Sequence, residues 1–315
     1  MTTTASDELE QIEGEDRPQL NKASYLGRSP QDTPAGWINY VLLSLAVMIS
    51  AWPIYWMGIA SSLGEDSVNR FGFPRLVPGD RFMFNVDLVM GGDPPIGYPP
   101  YTSVQFLRSM MNSVIVVIVV TAGQLFFCSL AGFAFAKLKF AGRDPLFVFV
   151  VLTLTIPAQL GIVGSYLIWD AIGGIDTLFA VIIPALVTAF GVFYMRQFIE
   201  DSIPDEIIES ARVDGASTFR VYWSIVLPVV RPALGVLGLI TVIGVWNEYI
   251  WALVAVGGSD AQTIGPALHN LRAGNVVKYS IILTGSFLAT LPLVILLILT
   301  GRQIVAGIME GAVKT

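Results

Sequence analysis

Ser202-Ile203-Pro204-Asp205-Glu206-Ile207-Ile208-Glu209-Ser210-Ala211-Arg212-Val213-Asp214-Gly215, continued through Phe219, Tyr222 and Trp223 to Ile225-Val226-Leu227-Pro228, is a polar stretch inside a very hydrophobic chain. The pattern predicts two short helices joined by a tight turn. Ser202 can cap the first, with Asp205 three residues on, and Pro204 suits the first turn. Asp205, Glu206 and Glu209 lie early in that helix, where its dipole favours acids. Ile203, Ile207 and Ala211 recur every four residues and make an apolar stripe. Gly215 can take the left-handed conformation that a β-carbon penalises, so the first helix ends near Asp214 and the second begins near Ser217. Phe219, Tyr222 and Trp223 give the second helix an aromatic face, and Pro228 and Pro232 bracket the return to apolar sequence. A rigid, partly apolar knob with charged edges suits insertion into a groove on another protein. A helix lying on lipid explains the amphipathicity too, but not the spacing from Glu209 through Gly215 to Ile225-Val226-Leu227-Pro228.

Around this stretch, hydrophobic residues make up 54% of the chain and charged residues 13%, with a mean hydropathy of +0.68. Soluble domains carry about 25% charged residues, so the composition is that of a membrane protein. A single Cys and a single His exclude an internal disulfide and a usual multi-ligand zinc site. The net charge of −6 gives no support to nucleic-acid binding. Residues 1–36 are acidic and rich in Pro, Ser and Thr, and read as a disordered cytoplasmic tail, not a signal peptide.

Six segments are long enough to cross a bilayer, approximately 37–63, 112–136, 146–170, 177–198, 232–256 and 280–301. Each must be helical, because lipid offers no partner to an open strand edge. Pro53, Pro157, Pro184 and Pro292 predict kinks, as hinges or as packing geometry. Lys137, Lys139 and Arg143 in one short loop, and Arg196, Arg212, Arg220 and Arg231 in and around another, place both loops and both termini in the cytoplasm. The 64–111 loop, with Arg70, Arg75, Arg81 and Arg108, dissents, but long loops count less. Rich in Gly, Pro and aromatic residues, it reads as an ordered external cap. No internal repeat is visible.

With these residues in view, the stretch Glu209-Ser210-Ala211, Asp214-Gly215 and Ile225-Val226-Leu227-Pro228 resembles the EAA loop of permeases in ATP-binding-cassette (ABC) importers; Ser210 stands where that family usually has Ala. The resemblance covers almost the whole chain after the tail and is most specific to six-span, maltose-type carbohydrate permeases. Asn112-Ser113, Ala134 to Arg143, Trp246-Asn247-Glu248-Tyr249, and Gln303, Gly307, Gly311-Ala312-Val313-Lys314 are similar to its other motifs. The resemblance implies an all-α polytopic fold of type I importer class. It implies a coupling loop at 199–231 (Glu209, Ser210, Ala211, Asp214, Gly215, Phe219, Pro228) that docks on separate ATPase subunits. It implies two such ATPases carrying ATP and Mg, a second homologous permease, an extracytoplasmic substrate-binding protein, a prokaryotic cell membrane, and a sugar as cargo. Gln303, Gly307, Gly311 and Lys314, in a short tail at 302–315, are expected to touch the ATPase pair; a frayed end is the plainer reading.

Trp246, Asn247, Glu248 and Tyr249 place an acid, an amide and rings in the outer half of the fifth span. Ionisable groups there usually face a bundle interior or a water path, and rings beside hydrogen-bonding groups suit a sugar. They can equally fix helix packing. The chain has no Gly-x-x-x-x-Gly-Lys-Ser/Thr phosphate loop and no nucleophile, base and orienter set, so neither a bound cofactor nor catalysis is expected of it. A permease for glycerol phosphate or a polyamine, or a non-transporting membrane scaffold, remains the alternative. Phosphate esters would want basic residues deep in the spans, and none is seen.

Overall fold

The computed structural model describes residues 36–68, 75–96, 105–272 and 278–312, with residues 301–312 as backbone alone. Every regular element among them is helical. Two units are distinguished, residues 1–53 and 54–315. In the first, the chain is helical from Trp37 onward and carries no charge through Pro53; the remainder of the expected tail lies outside the described residues.

The helices in chain order are α1 (Trp37–Ala60), α2 (Glu65–Val68), α3 (Phe82–Val89), α4 (Phe106–Lys137), α5 (Arg143–Thr153), α6 (Ile162–Ala171), α7 (Leu178–Ala185), α8 (Ala189–Ser202), α9 (Asp205–Val213), α10 (Thr218–Val221), α11 (Leu227–Val229), α12 (Arg231–Trp246), α13 (Ile250–Val256), α14 (Ile264–Asn270) and α15 (Tyr279–Ala312). Four stretches are long and apolar enough to cross a membrane: α1, α4, Leu178–Ser202 and Tyr279–Thr300. Two bent pairs raise the number to six if each is one crossing: Arg143–Thr153 with Ala158–Ala171, bent by 95°, and Thr218–Val229 with Arg231–Trp246, bent by 78°.

Several expectations are corrected. The segment 146–170 is not one kinked helix but two helices at nearly a right angle. Pro157 offers no N–H and bars helix from the residue before it. Hydroxyls add to the bonding at the break, Thr153 donating to Val150 O at 2.6 Å and Thr155 to Leu152 O at 2.8 Å, the latter carbonyl also accepting from the Thr155 N–H. The segment 232–256 is interrupted between Trp246 and Ile250. The second span begins at Phe106, not 112. Backbone helix runs through Pro292 to Ala312, where a short tail from 302 was expected.

The 64–111 stretch holds two helices; Phe71–Pro74 and Tyr98–Tyr101 lie outside the described residues. Asn85 donates to Ser61 O at 2.8 Å and Leu63 O at 3.0 Å. The Glu65 carboxylate accepts from the Tyr279 and Ser280 N–H groups and from the Ser280 hydroxyl, so it serves the orphan donors at the start of α15. Asn112 donates to Asp260 O and Gln262 O, and Ser113 accepts from Ile264 N–H at 2.8 Å. That pair therefore pins the α13–α14 connection onto α4.

The largest buried cluster lies where α4 and α8 meet the polar elbow, with Phe133, Met195, Ile199, Ile203, Ile208, Tyr222 and Val226 among its members. Gly132 makes the approach possible: a β-carbon there would stand 2.8 Å from the Arg196 backbone nitrogen. Small residues at such crossings let helices close in where lipid supplies no hydrophobic drive.

Candidate functional site

The first candidate site is the elbow. α9 ends at Val213 with Asp214 as its C-cap, and Gly215 has φ +80, the left-handed value the turn requires. Ser217 caps α10, its hydroxyl accepting from Arg220 N–H at 3.3 Å. Ser202, however, caps nothing. It is the last residue of α8, held by the Ile203 N–H to Ile199 O bond, and Pro204 occupies the cap position of α9. Because α9 starts only at Asp205, Ile203 is out of phase with the helix. The buried residues are Ile203, Ile208 and in part Ala211, while Ile207 turns outward at 45% exposed.

The aromatic face is likewise divided. Tyr222 is fully buried, its hydroxyl 2.8 Å from that of Ser129 on α4. Phe219 and Trp223 are exposed and stacked on each other with ring centroids 6.1 Å apart. Between Tyr222 and Val226 the helix widens to a π-turn, so that Leu227 N–H reaches Tyr222 O. Pro228 behind it cannot donate to Ser224 O, which is the physical signal for this widening, and the sequence reading passed over it.

Glu209, Ser210, Asp214, Gly215, Phe219 and Pro228 are all exposed, whereas Ala211 is half-buried against the core. Val213, missed from sequence, is the most exposed apolar side chain of the elbow at 87%. Asp205 takes a hydrogen bond from Lys137, whose ammonium, with help from the charges of Lys139 and Arg143, holds the Asp205 carboxyl below its ordinary range.

The second candidate is a cavity of about 520 Å³ whose lining includes Gln124 of α4, Ser165 of α6, Thr241 of α12, Glu248, and Trp251 of α13. Thr241 donates to Gln124 Oε1 at 2.8 Å, and Gln124 Nε2 donates to Ala185 O, a carbonyl freed where α7 ends, at 2.8 Å. Trp251 Nε1 donates to Ala180 O at 2.9 Å. Glu248 Oε1 accepts from Trp251 N–H at 2.9 Å, so one carboxylate oxygen tethers the start of α13. Among the described residues that line the cavity, Glu248 is the one charged group.

Trp246, Asn247, Glu248 and Tyr249 do not converge. They mark the break between α12 and α13, and of the four only Glu248 lines the cavity. Trp246 packs against the buried cluster that contains Leu88, Phe106 and Ile281. Asn247 folds back to Ile243 O at 2.8 Å, and the Tyr249 hydroxyl meets His269 Nδ1 at 2.8 Å. Gln124 and Thr241 were missed; their signal was a hydrogen-bonding side chain at mid-span. Positions 303, 307 and 311 fall at four-residue spacing along the helical backbone of α15, and Lys314 lies outside the described residues.

Known proteins are similar to this chain in sequence and in fold. The description "binding-protein-dependent transport system inner membrane component" belongs to the family that matches residues 124–310. The arabinooligosaccharides transport system permease protein AraQ of Halalkalibacterium halodurans is 32% identical over 203 residues, 64% of this chain and 72% of that protein. The sn-glycerol-3-phosphate transport system permease protein UgpE of Agrobacterium fabrum is 30% identical over 87% of this chain and 95% of its own length. The lactose transport system permease protein LacG of Rhizobium radiobacter is 27% identical over 88% and 96%. Among solved structures, a chain of a bacterial ABC transporter involved in the import of the acidic polysaccharide alginate superposes with a TM-score of 0.67 at 20% identity, covering 96% of this chain and 99% of that one, a likeness of fold.

Proposed function

The chain belongs to the family of binding-protein-dependent transport system inner membrane components, and on that premise we propose how it works. It is the permease subunit of an ATP-driven importer and resides in the membrane. Its cargo is a neutral sugar, delivered by a binding protein on the outer face. A second, homologous permease completes the pathway, and two ATPase subunits bind ATP and Mg and hydrolyse the nucleotide, so this chain is not itself the enzyme. Both termini and the 199–231 loop face the cytoplasm; 37–301 is the permease domain. Closure of the ATPases on ATP pushes the elbow, the spans rock outward, and hydrolysis resets them. Residues 302–315 add a second contact to the ATPase pair.

The observation that carries this reading is the division of the elbow into a buried half and an exposed half. Ile208 and Tyr222 anchor it in the core shared with α4 and α8, while Glu209, Val213, Asp214, Phe219 and Trp223 stand outside. A rigid face presented this way suits a groove on a partner. A scaffold would need the same face but not a cavity among the spans.

The relatives named for sn-glycerol-3-phosphate raise the second reading. The cavity weighs against it, because its charged lining group is a carboxylate and no cation lines it among the described residues. Hydroxyl, amide and carboxylate groups beside Trp251 and Phe190 match a solute with polar rims and apolar faces. The test is uptake by proteoliposomes holding this chain with the permease, ATPase and binding protein that co-purify with it. ATP-dependent accumulation of a labelled neutral oligosaccharide, and not of glycerol phosphate, is expected. Accumulation of glycerol phosphate alone would replace the sugar reading; no ATP-dependent uptake of any solute that the binding protein holds would favour the scaffold.

A further inference from the structure

Lys137 is the last residue of α4, and its ammonium lies 2.6 Å from Asp205 Oδ1 at the first residue of α9. The two partners sit very differently. The Lys137 side chain is 5% exposed and that of Asp205 75%. An ammonium so enclosed is costly without its counter-charge, far more than a surface pair is worth. Asp205 is the one ion-pair partner of Lys137 among the described residues.

The remaining contacts between the elbow and the core are mostly apolar, through Ile203, Ile208, Val221 and Val226. Apolar contacts resist compression but slide under shear or tension, because dispersion and burial have no preferred direction. A short charge-assisted hydrogen bond has direction and resists being drawn apart. The helix it grips matters as well. α4 runs without interruption from Lys137 to Gln124, which lines the cavity and bridges Thr241 and Ala185 O. Thirteen residues of helix put these two points roughly 20 Å apart along one rigid axis.

We propose that Lys137 and Asp205 form a strut that makes α4 follow α9, so that movement of the elbow in either direction is carried to Gln124 and the cavity. Lys137 and Asp205 are positioning residues here. The inference rests on the coupling role given to the elbow above and adds the element that returns the spans when the ATPases reopen. The basic surroundings supplied by Lys139 and Arg143 keep Asp205 charged, so the strut stays engaged.

The test uses the assembled complex in proteoliposomes, with ATP hydrolysis and solute uptake read together. Lys137→Met keeps an unbranched stem and removes the ammonium, and the Asp205 carboxylate left behind is 75% exposed, so no buried charge is stranded. Solute moved per ATP is expected to fall at least about fivefold, with ATPase binding unchanged; that loss reflects the missing directional contact. Asp205→Glu should retain about half or more of the ratio, and Asp205→Asn should add nothing in the Lys137→Met background, as expected of residues acting through one contact. An unaltered ratio in Lys137→Met overturns the strut and leaves Asp205 as a local counter-charge. Loss of ATPase binding also overturns it, since the pair would then shape the docking face. The tie itself is read without partners: amide exchange across 206–213 should quicken about tenfold in Lys137→Met in the purified chain. Unchanged exchange contradicts the tie whether or not the importer reading holds, and absent ATP-driven uptake in the wild-type complex contradicts that reading instead.

Discussion

The elbow and the cavity are built on opposite plans. In the elbow, one contiguous stretch folds on itself and sinks its anchors into a dense core, with Tyr222, Val226 and Ile203 almost fully buried. In the cavity, residues from six different segments meet at places where helices stop: Ala185 ends α7, Thr188 precedes α8, and Glu248 lies between α12 and α13. The elbow is packed into a core, which suits the proposed push from a partner. The cavity is made of broken ends because unpaired backbone groups at membrane depth are tolerated only where they line a space or meet side chains. In the function proposed above, force is received by the packed region and spent in the loosely bonded one.

Substitutions can break that contrast, and the largest effect is expected in the packed region. Gly132→Val places side-chain atoms where the Arg196 backbone nitrogen and Met195 already stand. Overpacking of this kind costs about 3 kcal/mol, and loss of folded chain from the membrane, measured by fluorescence-detected gel filtration, is expected. On the exposed face, Phe219→Ala should leave thermal stability unchanged but weaken ATPase binding by about 2 kcal/mol, roughly 30-fold in affinity by titration of purified ATPase. An equal fall in thermal stability would show that Phe219 belongs to the core instead.

In the cavity the effects should be smaller and selective. Glu248→Gln preserves an acceptor for Trp251 N–H but removes the charge. Folding should be intact, and transport of a neutral sugar should change by about 1–2 kcal/mol in kcat/KM, roughly five- to thirtyfold, mainly through KM. A pure loss of kcat would make Glu248 part of the moving frame and not of the binding surface. Tyr222→Phe, which removes only the hydrogen bond to Ser129 inside the dense core, should cost about 1 kcal/mol of stability, seen as a modest drop in melting temperature.

The smallest expected effect is with pH. The Asp205 carboxyl titrates below its ordinary value of 3.8 because Lys137 holds it charged. A depressed carboxylate contributes stability above its unfolded value, and that contribution is lost only as pH falls through the lower folded value. Coupling should therefore be flat from about pH 8 to about pH 5 at this pair, and the Asp205→Asn variant should show the same profile at a lower level.

The same contrast explains what the sequence could and could not tell. The elbow was legible because its information is local: Gly215 needs a positive φ, Ser217 caps its own helix, and Pro228 and Pro232 mark the return. Its errors were errors of phase. Ile203, Ile207 and Ala211 were expected to form one apolar stripe, but Ile203 precedes α9, and within α9 it is Ile208 and Ala211 that pack on the core while Ile207 is 45% exposed. The cavity was mostly illegible because it is assembled over long distances. Gln124 meets Thr241 and Ala185, and no spacing along the chain announces that. Trp246 to Tyr249 were rightly marked as unusual for a span, but the reason was a break in the helix, with three of the four side chains turned to other tasks. Pro157 announced a kink and gave a turn of 95°, since nothing local fixes how far a freed helix end swings.

The proposed docking of the elbow is best probed by uptake in cells carrying Gly215→Val at matched membrane levels. Gly215 has φ +80 and open space where a β-carbon would point, so only the turn angle of the elbow is perturbed, by about 1–2 kcal/mol or more for a branched side chain. The variant chain is expected to insert and fold normally yet lose at least about tenfold in ATP-driven uptake, because a misdirected elbow no longer meets its partner. Normal uptake at normal expression would contradict it.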